Sequence, residues 1–172
     1  MKCIFLDFDG VINNWNHFDS VSIDNAMVLK KIIDVIDAKI IVTSSNKYEL
    51  QRGNDIDYFG SRFYNKYEKP LNDIGIKIFD LTPNVRYNRA LEIKKYINEH
   101  NIKEYVIVDD ELIDPEFQEH QVFLDLYRGL QTEHIIPILN ILNGNLGFYP
   151  ENYNRKETSS ELVKRINRYY NK

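Results

Sequence analysis

The chain has 172 residues, which is enough for one domain with a sizeable hydrophobic core. Its formal net charge of −4 argues against a globally basic nucleic-acid-binding protein. No apolar run reaches the length of a membrane span, and the apolar run at the N-terminus is short and interrupted by Asp7, unlike a signal peptide. We therefore expect a cytoplasmic protein with no membrane contact. The single cysteine, Cys3, is expected to pack as a small apolar side chain in the first predicted strand.

The first predicted strand ends in two carboxylates. The apolar run Ile4–Leu6 is followed by Asp7, Asp9 and Gly10, and an apolar run that stops at a turn signal predicts a buried strand. Asp7 and Asp9 would point the same way if the strand continued. Two close carboxylates repel, and a hard divalent cation such as Mg2+ can compensate their charge. An isolated Asp-x-Asp more often caps a turn, so this interpretation depends on the elements that follow.

The second predicted strand ends in hydroxyl side chains. A helical period extends from Ser22 to Asp37, and the β-branched run Lys39–Val42 then leads to Thr43 and Ser44. If this strand is parallel to the first, the two hydroxyls lie near the two aspartates and could donate to a phosphate oxygen. The alternative is that they cap a following helix.

The segment from residue 48 to residue 84 is the least regular part of the chain. We predict a short helix near Tyr48–Arg52 and a strand over Ile76–Phe79, separated by several Gly and Pro residues. The stretch Arg62–Lys69 interleaves basic and aromatic residues, which suits base stacking with phosphate contacts but is also common on ordinary surfaces. Trp15 and His17, in the loop after the first strand, could also touch a substrate, although packing and surface roles are commoner for such residues.

The next helix and strand bring further charges. A helical period covers Tyr87–His100, with Arg89 in the first turn. A cation there is unfavourable for the helix dipole, which suggests a partner anion. The apolar strand Glu104–Val108 then runs into the adjacent acids Asp109 and Asp110.

The C-terminal third of the chain predicts one more strand and two helices. The strand covers Gln121–Leu126. Pro137 lies within the helical pattern that follows this strand and suggests that the helix begins late. Thr158 and Glu161 fit a capping box before a final helix.

Strands that alternate with helices predict an α/β protein with a Rossmann-like, doubly wound parallel sheet. We expect a single domain over residues 1–172, with an irregular insertion or small cap region at about residues 48–84 and no large cap. Parallel strands share one carboxyl edge, so their polar ends should converge there. The converging groups are Asp7, Asp9, Thr43, Ser44, Arg89, Asp109 and Asp110.

In these residues the chain resembles the haloacid dehalogenase (HAD) superfamily of phosphotransferases. The pattern is an Asp-x-Asp-Gly-Val motif, a Thr or Ser after the next strand, a Lys or Arg, and then paired acids. A narrower resemblance, to the small HAD domains associated with RNA-repair proteins, rests on residues 41–47, 89–93, 108–110 and 129–133. Those domains often carry Trp-Arg where this chain has Asn46 and Lys47.

The resemblance implies an α/β HAD fold and a phosphatase mechanism. Asp7 would be the nucleophile that forms an aspartyl-phosphate, and Asp9 would be the general acid and base. Mg2+ would be held by Asp7, the main-chain carbonyl of Asp9, and Asp110, with Asp109 in support.

The resemblance also implies a set of phosphate-binding residues. Thr43 and Arg89 would bind the phosphoryl oxygens. Ser44 competes with Thr43 for this role, and Lys94 competes with Arg89.

Several functional alternatives stay open. We expect the substrate to be a small phosphoester or a nucleic-acid end. The segment from residue 48 to residue 84 is too short for a large cap domain, and the open site that results would accept bulky substrates such as polynucleotide ends. A receiver-like signalling module that only accepts phosphate also carries acids, a hydroxyl and a cation at strand ends, but in a different order along the chain. A catalytically idle binding module would not need the second acid, Asp9. Oligomeric state is not predicted.

Overall fold

The computed structural model describes residues 1–17, 20–47 and 63–146. Within these ranges the strands are β1 (Lys2–Leu6), β2 (Ala38–Val42), β3 (Ile78–Leu81), β4 (Glu104–Asp109) and β5 (Gln121–Phe123). The α-helices are α1 (Ile23–Val35), α2 (Lys69–Asp73), α3 (Arg89–His100) and α4 (Ile135–Leu142). Four 3-10 turns (Trp15–His17, Ser45–Lys47, Pro115–His120, Thr132–His134) and one π-helical turn (Tyr64–Glu68) connect them.

The five strands form one parallel sheet in the order β3-β2-β1-β4-β5. The chain moves outward from β1 through β2 to β3, then returns to the other side of β1 for β4 and β5. The order therefore reverses at β1, and open α/β sheets bind ligands beside the carboxyl ends of the strands at such a reversal. The predicted Rossmann-like α/β fold is confirmed.

Alternate residues of β1 pack into two separate cores. Ile4 and Leu6 belong to the larger core, which also contains buried residues of α1 and α4. Cys3 and Phe5 belong to the smaller core, which contains Ile93 and other residues of α3. Because side chains alternate across a strand, an apolar run that continues without interruption is buried on both faces. Helices on both sides of the sheet therefore follow from the composition of the strands.

Polar caps set where two of the helices begin. The Ser22 side chain accepts a hydrogen bond from the Asn25 backbone N–H at the start of α1. The Asn88 side chain accepts one from the Leu91 N–H, so α3 begins at Arg89, two residues later than the start predicted at Tyr87. Arg89 is thus the first residue of its helix.

Two other boundaries differ from the sequence prediction. The third strand in chain order covers Ile78–Leu81 instead of Ile76–Phe79, because Ile76 is buried in the core before pairing with β2 begins. The fifth strand ends at Phe123. Pro137 lies in the first turn of α4, where no backbone N–H is needed, as predicted.

The stretch that interleaves basic and aromatic residues is only partly exposed. Phe63 and Tyr67 are buried against Phe8, whereas Tyr64 is exposed. Stacking of bases on Phe63 or Tyr67 is therefore ruled out by burial. The helices predicted near residues 48–52 and after residue 158 lie outside the described residues, and so does Arg62. In the described ranges, no helix has the length and apolarity that a membrane crossing requires.

Candidate active site

Three neighbouring strands end in register at one edge of the sheet. Leu6 of β1 pairs with Val42 of β2 and with Val108 of β4. The next residue on each strand is therefore Asp7, Thr43 or Asp109, and backbone bonds continue the ladder. The Asp7 N–H donates to the Val108 carbonyl at 3.1 Å, and the Thr43 N–H donates to the Leu6 carbonyl at 2.9 Å. The polar strand ends that the sequence predicts to converge do lie side by side.

The carboxylate of Asp7 is buried and only half satisfied. Its Oδ2 lies 3.1 Å from the Arg89 guanidinium, whereas the buried Oδ1 has no hydrogen-bond partner among the described residues. Burial raises the pKa of Asp7, and this effect outweighs the lowering by Arg89 and by a hydrogen bond from Ser44. A buried carboxylate oxygen without a protein partner is costly, so this atom is suited to bind a cation.

Arg89 joins Asp7, which follows β1, to Asp109 at the end of β4. Its Nη1 lies 2.6 Å from Asp109 Oδ2 and 3.8 Å from Glu111 Oε2, in addition to its contact with Asp7. Burial lowers the pKa of Arg89, but the nearby Asp109 and Asp7 raise it by more than burial lowers it. The guanidinium therefore stays charged. The remaining oxygen of Asp109 accepts the Glu111 N–H at 2.8 Å. Both oxygens of Asp109 are therefore held by the protein itself.

Asp110 lies against the turn that follows β1. A Cβ placed on Gly10 would be 2.5 Å from the Asp110 carboxyl carbon, and Gly10 has a positive φ of 68°. Only glycine fits both the backbone conformation and the space. Burial, and then repulsion from Asp7, raise the pKa of Asp110 to about 7.

The acids form a group that could hold a cation. Carboxylate oxygens of Asp7, Asp109 and Asp110 all lie within 4.8 Å of one another. Burial, and then repulsion from Asp7, raise the pKa of Asp109 well above its ordinary value. Burial is also the largest cause of the raised pKa values of Asp7 and Asp110. An all-oxygen set that repels itself, with one buried oxygen unpaired, fits a hard divalent cation such as Mg2+.

The carboxylate of Asp9 is held apart from this group by two amides. Asn13 Nδ2 donates to Asp9 Oδ1 at 2.6 Å, and Asn46 Nδ2 donates to Asp9 Oδ2 at 2.8 Å. Asn13 in turn accepts the Gly10 N–H at 2.9 Å, which fixes its orientation. Metal binding by the main-chain carbonyl of Asp9 stays a prediction.

The two candidate hydroxyls differ in their surroundings. Thr43 Oγ1 is buried and has no hydrogen-bond partner in the described part of the chain. Ser44 is also buried, but its hydroxyl accepts the Asn46 N–H at 3.3 Å and hydrogen-bonds to Asp7. Thr43 therefore has a donor to offer a ligand, while Ser44 is already occupied.

The two candidate cations also differ. Lys94 is exposed and pairs with Glu116 at 2.8 Å, on the outer face of α3. Arg89 contacts the acids directly. Of the two residues left open by the sequence, only Arg89 lies at the carboxylates.

A fully buried ion pair lies next to the site. Lys47 Nζ is 2.7 Å from Glu92 Oε2, and neither side chain is exposed to solvent. Sequence reasoning missed this pair, and it also missed Asn13 and Asn46. The sequence offered one signal for this pair. Lys47 follows the Ser44–Ser45 hydroxyls by two residues, and Glu92 is an acid on the apolar side of a predicted helix.

A cleft of about 480 Å³ opens beside Arg89. This volume lies in the range usual for small-molecule sites. The cleft is lined by Ser45, Tyr87, Asn88, Arg89, Ala90, Glu111, Leu112, Ile113 and Asp114. Arg89 is the cation among these residues, and Glu111 and Asp114 are acids.

The parallel sheet, with an Asp-x-Asp-Gly turn at its first strand and paired acids at its fourth, defines a HAD-type domain. A family model described as the HAD domain in Swiss Army Knife RNA repair proteins matches residues 3–135, and the chain belongs to this family. No curated protein and no solved structure matches the chain significantly.

Proposed function

We propose that this protein is a Mg2+-dependent phosphomonoester hydrolase that acts through an aspartyl-phosphate on Asp7. The main support is the buried Asp7 carboxylate, which has an unpartnered Oδ1 and stands between a cationic Arg89 and the other acids. Family membership supports the same class of chemistry. The Mg2+ dependence, the mechanism and the substrate are inferences from this arrangement.

In the first step an Asp7 oxygen attacks the phosphorus atom and the bond from phosphorus to the leaving oxygen breaks. Asp9 supplies the proton to that leaving oxygen. In the second step Asp9 takes a proton from water, which attacks the phosphorus and releases phosphate from Asp7. Asn13 and Asn46 each donate to one oxygen of Asp9. Because a carboxylate oxygen has two lone pairs, either oxygen can still hold the transferred proton or accept a hydrogen bond from the water.

Asp7 and Asp110 would hold the metal with the main-chain carbonyl of Asp9, and Asp109 would support them. When bound, Mg2+ would offset the repulsion among these carboxylates and the charge of the transferring phosphoryl group. Asp109 contributes mainly by fixing Arg89, since both of its oxygens already have protein partners.

Thr43 and Arg89 would bind the phosphoryl oxygens. The Thr43 hydroxyl is buried beside Asp7 on the neighbouring strand and has a proton to donate. A preorganised donor of this kind contributes about 3 kcal/mol to transition-state stabilisation.

Two classes of substrate are candidates for this site. The family description refers to RNA repair proteins, which favours the phosphorylated end of a polynucleotide. The acids Glu111 and Asp114 on the cleft wall instead favour a small leaving group with few negative charges. These two classes can be separated by experiment.

The test is phosphate release from a mixed panel, with and without Mg2+. The panel contains p-nitrophenyl phosphate, nucleotides, sugar phosphates and oligonucleotides with 3′ or 5′ phosphates. The variants are Asp7→Asn and, as a matched control, Asp37→Asn, which changes an exposed acid immediately before β2. We expect Mg2+-dependent release by the wild type and by Asp37→Asn, and none by Asp7→Asn.

The best substrate would decide between small-molecule and nucleic-acid chemistry. Release that persists in Asp7→Asn would refute Asp7 as the nucleophile. Stable labelling of an Asp by a phosphodonor, without release, would support the receiver-like signalling module instead.

A further inference from the structure

The buried pair of Lys47 and Glu92 has no part in the mechanism above. Both side chains are fully buried, and their charged atoms are 2.7 Å apart. Burial of two charges has a large desolvation penalty, and an apolar pair of similar volume is often as stable or more stable. Stability alone therefore does not account for an ion pair at this position.

The pair connects the segments that carry the proposed phosphate ligands. Lys47 lies in the turn after β2, and its Nζ also donates to the main-chain carbonyl of Thr43 at 3.2 Å. Glu92 lies on α3, one turn after Arg89. The ion pair thus ties the segment that begins at Thr43 to the helix that begins at Arg89.

The same carboxylate also holds the loop that precedes α3. Glu92 Oε1 accepts the backbone N–H of Val85 at 3.1 Å, while its Oε2 binds Lys47. The turn after β2, the loop before α3 and α3 itself therefore meet at one buried side chain. The Asn88 cap then fixes the first turn of α3, which begins at Arg89.

We propose that Lys47 and Glu92 are positioning residues for phosphoryl binding, which they support by fixing the Thr43 hydroxyl relative to the Arg89 guanidinium. This inference rests on the proposed function, in which those two groups bind the phosphoryl oxygens. A displacement of about 1 Å at such a site lowers the rate about 100-fold, so a rigid internal link has a large effect without touching the substrate.

The test compares variants that keep or remove the link. Lys47→Arg keeps a cation that can bind Glu92. Lys47→Met removes the ammonium group that pairs with the buried Glu92 carboxylate, and this variant can fail to fold. The double variant Lys47→Met, Glu92→Leu replaces the whole pair with apolar side chains and keeps the test decisive. The matched control is Lys95→Met, Glu99→Leu, which removes an exposed ion pair from the same helix.

We expect the double variant to fold, with a melting temperature close to that of the wild type. Its kcat should fall by about 10- to 100-fold, while the Mg2+ concentration that gives half-maximal thermal stabilisation stays unchanged. Lys47→Arg should retain most of the activity, and the control pair should stay within about twofold of the wild type. A folded double variant with wild-type kcat would overturn the proposal.

Binding of inorganic phosphate to the Mg2+-loaded protein, measured by calorimetry, gives a readout that does not require turnover. We expect about tenfold weaker phosphate binding in the double variant than in the wild type. If the wild type binds phosphate but hydrolyses no substrate, the proposed function fails while the positioning role is still judged by this affinity. Equal phosphate affinity in both proteins, or no phosphate binding by the wild type, would refute the positioning role.

Discussion

Replacement of Asp110 by Asn tests whether the acid group is strained until a cation binds. Burial and repulsion from Asp7 raise the pKa of Asp110 from 3.8 to about 7 in the folded protein. The folded state therefore keeps a proton that the unfolded state loses between these two values. The stability that this proton on Asp110 confers is fully present below about pH 4 and is lost as the pH rises through about 7. Asn mimics the protonated carboxyl, so it removes this loss.

The size of the effect follows from the two pKa values. A folded-state pKa of about 7 against an ordinary value of 3.8 corresponds to roughly 4 kcal/mol. Asp110 is only half-buried, and contact with solvent screens part of this energy. We expect Asp110→Asn to raise the free energy of unfolding at about pH 8 by ~2 kcal/mol in the absence of metal. For a chain of this size that is a rise in Tm of about 4–8 °C.

The assay is thermal unfolding of the metal-free protein at about pH 5 and about pH 8, repeated with Mg2+. At the lower pH the advantage of the variant should be smaller, because the pH has then passed only part of the interval between the two pKa values of Asp110. At the higher pH it should be the more stable protein without metal, and Mg2+ should stabilise the wild type more than the variant. A variant that is less stable than the wild type at the higher pH without metal would refute the reasoning.

Three further substitutions give distinct outcomes. Thr43→Val removes a buried hydroxyl that has no partner in the described residues. In denaturant unfolding, the free energy of unfolding should stay equal or rise by ~1 kcal/mol. In steady-state kinetics, kcat/KM should fall at least tenfold. Gly10→Ala forces a Cβ against the Asp110 carboxyl, so Mg2+ should no longer raise the Tm; retained stabilisation would contradict the close approach. Asn46→Ala removes one of the two amide donors to Asp9, so kcat should fall by about tenfold with Mg2+ stabilisation intact, and an unchanged kcat would show that this amide is dispensable.

The strands and their polar ends could be predicted because each signal is local. An apolar run such as Ile4–Leu6 that stops at an acid and a glycine reports both burial and a turn. The parallel arrangement then follows from strand–helix alternation, and it brings Asp7 beside Thr43 and Asp109. The sequence also predicts that Arg89 lies near these acids, because a cation in the first turn of a helix suggests a partner anion.

The supporting residues could not be predicted, because their roles depend on contacts that are distant in sequence. Asn46 reaches Asp9 across 37 residues, and Lys47 reaches Glu92 across 45. In the sequence, both look like ordinary polar residues at the start of a turn. Strand boundaries such as that of β3 were also displaced, since Ile76 is buried without being paired in the sheet.

The most direct test of the central claim is to trap phosphate on the protein. The Asp9→Asn variant is mixed with Mg2+ and p-nitrophenyl phosphate, whose leaving group departs without a proton from Asp9. The mixture is quenched in acid and treated with borohydride, which reduces an acyl-phosphate to an alcohol. The peptide that contains residue 7 is then analysed by mass spectrometry. The account predicts reduction at Asp7, because the variant can form the intermediate but lacks the base that activates water. Phosphate release by the wild type with no modification at Asp7, or modification of a different carboxylate, would contradict it.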